Sequence, residues 1–349
     1  MEMECYCIAM QQEVEKKKAV QADFDAAGLK VTFYDGVNGR EPLSKEHQEL
    51  LSVYGKTVGH PSVVGCSLSH YTLWSQLAKR PAPPQYTLIC ESDVTFSSAF
   101  VEEVHACLEE TEVPFDVLYV GNKNFFPDDE SIFRRLCAML LFGNKPRTKQ
   151  ISATRYIPDI TLATHCYIVT PEGINKLLTS LKYKLGEHVD QLMLRAGGSL
   201  QLQAVFPPLA HQRSPETSAS NIASSDTFPV SLNYAMNKEM PNGFSASYYM
   251  NCPIAEIWGF PLNFWTAVFL IVGIIALWCG VPLWYLFVGF AVCVSLDVVA
   301  AWVMGLNTSQ KKMYLVSTLF TIFLPTLAFA SYHETQDIID EDALYNDDN

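Results

Sequence analysis

Tyr86-Thr-Leu-Ile-Cys-Glu-Ser-Asp93 is the stretch of the sequence that decides the fold. Its first five residues form a short apolar run, which is typical of a strand buried in a parallel sheet. Two carboxylates, Glu91 and Asp93, follow this run directly. We expect them at the carboxyl end of the strand, which is where open α/β sheets bind ligands. The stretch therefore predicts an α/β domain with a binding site at this strand end.

The surrounding sequence supplies strands and helices in alternation. Cys5–Met10 and Leu29–Tyr34 are predicted strands with a helix over Glu13–Ala27 between them, and a β-α-β unit favours parallel pairing. Residues 122–160 are predicted as a long irregular loop. The other predicted strands and helices are Ser67–Leu77, Ser98–Glu110, Asp116–Val120, Thr164–Val169, a helix that begins at Thr170-Pro171, and Gln201–Phe206. The predicted fold class is α/β with a mostly parallel sheet, followed by C-terminal transmembrane helices.

Charge divides the chain into four predicted segments. These are an α/β domain over residues 1–211, a polar linker or wrapping segment over 212–256, an apolar block over 257–332, and a tail over 333–349 that holds seven acids and no Lys or Arg. The net charge of −13 argues against a nucleic-acid partner, because such binders need basic surface. The ten cysteines show no C-x-x-C pair, which disfavours a zinc site or a disulfide framework and indicates a reducing compartment.

The apolar block predicts three transmembrane helices of about 20 residues each, at Phe260–Cys279, Pro282–Met304 and Met313–Tyr332. A buried helical core is the alternative. The basic pair Lys311-Lys312 and the absence of a signal-like N-terminus both predict a multi-pass membrane protein with a cytosolic N-terminal domain. Asp297, in the middle of the second span, is either functional or a polar partner of a neighbouring side chain.

Glu91-Ser92-Asp93 carries the chemistry that the sequence indicates most clearly. Carboxylate oxygens bind hard cations such as Mn²⁺ or Mg²⁺, which usually keep nucleotide phosphate as a further ligand. The pair therefore suits a donor that contains a diphosphate. The alternative is structural, with Asp93 as the N-cap of a helix.

A second motif lies at Gly65-Cys66-Ser67-Leu68-Ser69-His70, followed by Trp74. Gly65 would let the backbone approach a ligand closely, and Ser67 or Ser69 is expected to cap the following helix near a bound phosphate. His70 and Trp74 are four residues apart and share a helix face. The alternative is a packed His–Trp pair in the core.

Together these motifs resemble glycosyltransferase family 25, which includes bacterial lipooligosaccharide galactosyltransferases and collagen galactosyltransferases. The resemblance covers roughly residues 5–211. Four ordered blocks carry it: Phe33–Gly39, Gly65-Cys-x-x-Ser69-His70-x-x-x-Trp74, Ile89–Val94, and Thr164-x-x-Tyr167 through Leu178 with the later Val189-Asp190. Ser92 stands where the family has an aspartate, and the membrane block lies outside the family pattern.

The resemblance implies a nucleotide-sugar-binding domain of the GT-A type and inverting transfer to an acceptor hydroxyl, mostly from UDP-galactose. Asp93 would be a direct metal ligand, and Glu91 would contact metal-bound water or ribose. Gly65, Ser69 and His70 would bind the donor, and Asp190 is the candidate general base. His211 is either a third metal ligand or a surface histidine. Mn²⁺ is the expected metal, with Mg²⁺ as the alternative.

The sequence thus predicts a membrane-anchored glycosyltransferase that moves a sugar to a glycan, a lipid-linked saccharide or a protein. Two other functions stay open. Ser92 favours a sugar-nucleotide binder without activity, and Asp297 favours a membrane scaffold or transporter.

Overall fold

The structure is a computed structural model. It describes residues 3–57, 59–110, 112–123, 125–128, 132–142, 147–213, 253–257 and 260–282, with scattered residues between 285 and 299. The chain divides into two compact units, one of which holds the described residues up to Arg213 and the other those from Pro253 onward. Each unit is considered by itself below.

An eight-stranded sheet is the centre of the first unit, in the order β2-β1-β3-β8-β5-β9-β7-β6. A separate two-stranded sheet joins β10 to β4. The strands of this unit are β1 Met3–Ala9, β2 Val31–Asp35, β3 Tyr86–Glu91, β4 Val94–Phe96, β5 Val117–Lys123, β6 Lys149–Gln150, β7 Arg155–Ile157, β8 Leu162–Val169, β9 Leu202–Val205 and β10 Ala210–Gln212.

Eight α-helices are described in the same unit, and a short 3-10 helix follows the last of them. Their bounds are α1 Val14–Ala26, α2 Lys45–Leu50, α3 Val53–Thr57, α4 Pro61–Ala78, α5 Phe100–Glu109, α6 Ile132–Phe142, α7 Pro171–Leu181 and α8 Val189–Arg195, with the 3-10 helix at Ala196–Gly198.

The sheet is mostly parallel, as predicted, and β8 interrupts it. Strands β2, β1 and β3 are parallel to one another, and β9 is parallel to β5. Strand β8 lies between β3 and β5 and is antiparallel to both. The shorter β7 is antiparallel to β9. The main strands therefore keep one direction, and their carboxyl ends share one edge of the sheet.

Alternating side chains of the strands build the core. Cys5, Cys7 and Ala9 of β1 point to one face of the sheet, where they pack with residues of α1 and α5 such as Phe24 and Phe100. This alternation follows from the two-residue period of a strand. Thr170 caps α7 as predicted, because its hydroxyl accepts a hydrogen bond from the Gly173 N–H at 3.0 Å. The core thus fixes β1 and β3 side by side.

Two predictions and one alternative interpretation are wrong. Helix α4 begins at Pro61, with His60 as its N-cap, so Ser67 and Ser69 lie inside the helix rather than at its start. The stretch 122–160 holds α6, β6 and β7 instead of a continuous loop. Asp93 is followed by strand β4, so it does not cap a helix. The helix start was missed because histidine is not one of the preferred N-cap residues.

In the part of the second unit that the structure describes, a β-hairpin is followed by an apolar helix. Strands β11 Pro253–Ile257 and β12 Phe260–Asn263 pair antiparallel, and helix α9 follows at Phe264–Trp278. The first predicted span thus begins as a strand and continues as a helix of 15 residues. No helix in the described part of the chain has the length and apolar character needed to cross a membrane. Most of the second span, including Asp297, and the third span with Lys311-Lys312 lie outside the described residues.

Candidate functional site

A cleft of about 310 Å³ opens where β1, β2 and β3 end. Its walls come from Ile8–Met10 at the end of β1, Gly36–Arg40 after β2 and Glu91–Asp93 at the end of β3. Helices α1 and α4 supply the remaining walls. The cleft therefore occupies the carboxyl ends of adjacent parallel strands, where the sequence placed the binding site.

Glu91 is a partly exposed carboxylate at the end of β3. Its Oε1 accepts a 2.6 Å hydrogen bond from the Thr164 hydroxyl of β8 and lies 3.4 Å from His70 Nε2. Burial disfavours the charged form, but the His70 imidazole and the Thr164 hydroxyl outweigh it, so the pKa of Glu91 lies below its usual value. Glu91 therefore carries its negative charge in the cleft at neutral pH.

Asp93 is buried, with 8% of its surface exposed. Its Oδ2 accepts a hydrogen bond from Gln212 Nε2, while its Oδ1 has no hydrogen-bond partner among the described residues. Burial, followed by the charge of Glu91, raises the pKa of Asp93. A buried carboxylate oxygen without a donor, beside a second carboxylate, fits a bound cation, because a cation would relieve both effects.

Ser92 lies between the two acids and turns toward α1. Its hydroxyl is 3.1 Å from Glu13 Oε2 and donates a hydrogen bond to it. The same Glu13 oxygen accepts from the Met10 N–H at 2.9 Å, and Glu13 Oε1 is 2.7 Å from Lys16 Nζ. Glu13 thus brings a third carboxylate to the cleft, next to Ser92.

Helix α4 packs tightly against the loop 36–40. A Cβ at Gly39 would lie 1.9 Å from the Pro61 carbonyl oxygen, and one at Gly65 would lie 2.5 Å from the Val37 carbonyl oxygen. Ser69 ties the same loop down, because its Oγ accepts a 2.7 Å hydrogen bond from the Val37 N–H. The missing side chain of Gly65 therefore leaves room for the loop backbone. Ser69 lines the cleft and holds the loop beside it.

His70 is fully buried and belongs to a chain of polar contacts. Its Nδ1 lies 2.9 Å from the Tyr167 hydroxyl, which also accepts a 2.9 Å hydrogen bond from Trp74 Nε1. The packed His–Trp pair is thus observed, while ligand binding by His70 stays a prediction. The pair packs in the core, and the far side of the imidazole faces Glu91 and the cleft.

Asp190, the predicted general base, is buried in the first turn of α8. Its Oδ2 accepts a 2.9 Å hydrogen bond from the Ala163 N–H, and its Oδ1 accepts one from the Gln191 N–H. Ala163 has a φ of 72°, a left-handed conformation that is unusual for alanine. Asp190 is not one of the residues that line the described cleft. It braces the segment just before Thr164.

His211 lies exposed on β10, opposite Thr95 of β4. The next residue, Gln212, makes the side-chain contact with Asp93. Successive side chains of a strand point to opposite faces, so the two cannot both face Asp93. The structure brings Glu91, Asp93, Ser69 and His70 together at the cleft and leaves His211 and Asp190 outside its lining.

Other cleft residues escaped the sequence analysis. Arg40 and Lys16 line the cleft, and Thr164, Tyr167 and Gln212 hold its key side chains from elements far along the chain. Tyr167 and Thr164 stood in a motif block, but nothing in the sequence assigned them a contact. No motif or spacing in the sequence pointed to a contact between Gln212 and Asp93.

The sequence matches known proteins over the part that builds this cleft. A model of the family described as "Glycosyltransferase family 25 (LPS biosynthesis protein)" matches residues 3–193. A cattle protein (Bos taurus) described as "Probable inactive glycosyltransferase 25 family member 3" is 27% identical over 37% of this chain and 19% of its own length. A "Glycosyltransferase 25 family member" of Aedes aegypti is 28% identical over 36% of this chain and 22% of its own length.

Among solved structures, the galactosyltransferase LgtC in complex with donor and acceptor sugar analogues aligns with 60% of this chain and 87% of its own. The identity is 9% and the TM-score 0.33, which does not establish a shared fold. The chain spans about a fifth of the length of the curated relatives named above. The family match covers more than half of the chain and includes β1, the loop after β2, α4 and β3. The protein therefore belongs to glycosyltransferase family 25.

Proposed function

We propose that this protein is a metal-dependent glycosyltransferase that moves a sugar from a nucleoside diphosphate donor to an acceptor hydroxyl. One observation carries the proposal. The carboxylates of Glu91 and Asp93 reach the cleft at the ends of adjacent parallel strands, and one Asp93 oxygen lacks a donor among the described residues. Family membership supports the same conclusion.

The first turn after β1 and the loop after β2 are suited to the diphosphate. Lys16 on α1 and Arg40 on the loop are cations that line the cleft. Helix α1 begins at Val14, directly after the cleft residue Glu13. Helix N-termini attract phosphate. These positive groups line the same cleft as the acids, so they would hold the phosphates near the carboxylates.

Asp93 and Glu91 are the residues that would hold Mn²⁺ or Mg²⁺, since both ions prefer oxygen ligands. When bound, such an ion would neutralise the negative charge of the departing diphosphate. The chain's own residues prepare the site. Thr164 and His70 keep Glu91 charged, and Gln212 fixes one oxygen of Asp93 while leaving the other available.

Asp190 remains our candidate for the base that takes the proton from the acceptor hydroxyl. Its hydrogen bond to Ala163 also suggests a positioning role, because Ala163 precedes Thr164 and Thr164 contacts Glu91. Asp190→Asn separates these roles. Loss of a base lowers kcat and leaves metal affinity unchanged, whereas loss of positioning weakens metal affinity as well.

UDP-galactose is the donor that we propose, and the acceptor is a hydroxyl of a glycan, a lipid-linked saccharide or a protein. The apolar sequence 257–332 supports a membrane tether that keeps the first unit on the cytosolic side. Fractionation of the full chain tests the tether. A tethered chain stays in the membrane pellet after carbonate washing, and recovery in the supernatant contradicts it.

The decisive experiment measures UDP release from UDP-sugars by the full chain with Mn²⁺. Asp93→Asn should lower the rate by roughly 100-fold or more, because one ligand carboxylate is lost. Asp25→Asn is the matched control and should keep the wild-type rate, because Asp25 is an exposed acid of α1 whose carboxylate accepts a hydrogen bond from Gln21. An Asp93→Asn rate equal to that of the control contradicts the proposal.

A binder without activity is the second candidate. Ser92 replaces an acid of the family motif, and some relatives in the family are described as inactive. Calorimetry with UDP and Mn²⁺ distinguishes the two. Binding without any UDP release from the donors supports the binder, and catalytic release excludes it.

A further inference from the structure

Three side chains of different chemistry meet at the inner wall of the cleft. Cys66, His70 and Glu91 each offer a ligand atom, and these atoms all lie within 4.8 Å of one another. Cys66 and His70 are four residues apart on α4, so one turn of helix places them on the same face. Glu91 completes the group from the end of β3. All three line the cleft.

The His70 imidazole is oriented as in a metal ligand. Tyr167 engages Nδ1 at 2.9 Å, and Tyr167 is itself fixed by Trp74. The other ring nitrogen, Nε2, is fully buried and has no hydrogen-bond partner among the described residues. Its 3.4 Å separation from Glu91 Oε1 exceeds the usual range of N–H···O hydrogen bonds. Metal-bound histidines are typically held in this way through the second nitrogen.

The surroundings of Cys66 favour a cation. Its Sγ lies within 4.8 Å of a ligand atom of Glu91, and Asp93 lines the same cleft. Two acidic side chains thus accompany the sulfur in the cleft. A divalent cation would offset their charge and hold the sulfur as thiolate.

We propose that Cys66 Sγ, His70 Nε2 and the Glu91 carboxylate bind a soft divalent transition ion of the zinc class. Sulfur and imidazole ligands select such ions over Mg²⁺ or Mn²⁺, which prefer oxygen. A tetrahedral ion with bonds of about 2.0–2.3 Å needs ligand atoms roughly 3.5 Å apart, so small side-chain shifts close the site. Three protein ligands leave a fourth position that faces the cleft.

The site is distinct in chemistry from the Glu91–Asp93 pair but shares Glu91 with it. A zinc-class ion therefore competes with Mn²⁺ for this carboxylate and lowers nucleotide binding. The proposal does not depend on transferase activity, because its measurement is metal binding itself.

Cobalt(II) is the spectroscopic probe. Titration of the metal-free full chain should produce a thiolate-to-cobalt charge-transfer band together with the intense visible bands of four-coordinate cobalt. Cys66→Ser, a nearly isosteric change, should abolish the charge-transfer band. Cys107→Ser is the control, since Cys107 is buried in α5 within the core cluster, and it should keep the band. No band in the wild type, or a band that persists in Cys66→Ser, overturns the proposal.

A second measurement uses the wild-type chain, so its outcome does not depend on whether a variant folds. Zinc should slow alkylation of Cys66 by iodoacetamide at least about 10-fold, as mapped by mass spectrometry. Cys279 is exposed and provides the internal control, with an unchanged rate. Excess Mg²⁺ in place of zinc should give no protection. Equal rates for Cys66 with and without zinc overturn the proposal, whatever the outcome of the UDP-release assay.

Discussion

Ser92 and Glu13 form a half-buried contact that depends on one partner being uncharged. The serine is 8% exposed, and its hydroxyl donates to Glu13 Oε2 at 3.1 Å. Ser92→Asp would place two carboxylates in contact, so we expect it to lower the free energy of unfolding by about 1–3 kcal/mol. Urea denaturation measures this. Adding Glu13→Gln should restore much of the loss, and the uncharged Ser92→Asn should cost less. Simple additivity of the two changes would contradict the contact.

His165 is the titratable residue whose pH effect is clearest. Burial lowers its pKa to about 4 from a usual value of 6.5. The unfolded chain therefore binds a proton between these values while the folded chain does not, so stability present above pH 6.5 is lost as the pH falls toward 4. Between pH 7 and pH 4.5, the free energy of unfolding of His165→Gln should fall by about 2 kcal/mol less than that of the wild type. Denaturant melts at both pH values measure this, and His47→Gln serves as the control. Parallel losses in wild type and His165→Gln would refute it.

At the scale of elements, the docking of loop 36–40 on α4 defines the shape of the cleft. Gly39 has no room for a side chain, because a Cβ would lie 1.9 Å from the Pro61 carbonyl oxygen. Gly39→Ala must displace the loop, and we expect a stability loss of about 1–3 kcal/mol with weaker nucleotide binding. Gly198→Ala is the matched control, since a Cβ there meets no atom within 4 Å. Thermal melts and calorimetry with UDP compare them, and equal behaviour of the two variants counts against the docking.

The elements also show where sequence patterns succeed and where they fail. Strand β3 was predictable because the largely apolar run Tyr86–Cys90 ends abruptly at Glu91. The direction of β8 was not, since an apolar strand reads the same whether its neighbours are parallel or antiparallel. Likewise, the contact of Gln212 with Asp93 depends on the pairing of β10 with β4, which joins positions more than a hundred residues apart. Motif spacing in the sequence predicted Glu91, Asp93 and His70 as site residues. Only the fold shows that His70 and Glu91 lie side by side.

For the molecule as a whole, the described cleft is built entirely by the first unit. Every lining residue lies between Ile8 and Asp93, and the supporting contacts come from Thr164, Tyr167 and Gln212. A fragment of residues 1–225, which ends where this unit's first segment ends, should bind UDP with Mn²⁺ as tightly as the full chain within about threefold. Calorimetry of both measures this. A tenfold weaker fragment that is still folded by circular dichroism would show that the rest of the chain contributes to the site.

The place of β8 between β3 and β5 has a consequence for synthesis on the ribosome. When a nascent chain has emerged as far as Lys123, both neighbours of β8 exist but their facing edges are unpaired. The residues from there to Val169 take roughly 2–9 s to be translated at the usual rate. Through that interval β3 and β5 each offer an open edge to chaperones and to misplaced strands. The segment that finally fills the gap also delivers Thr164 and Tyr167, so closing this gap in the sheet and fixing Glu91 and His70 are one event.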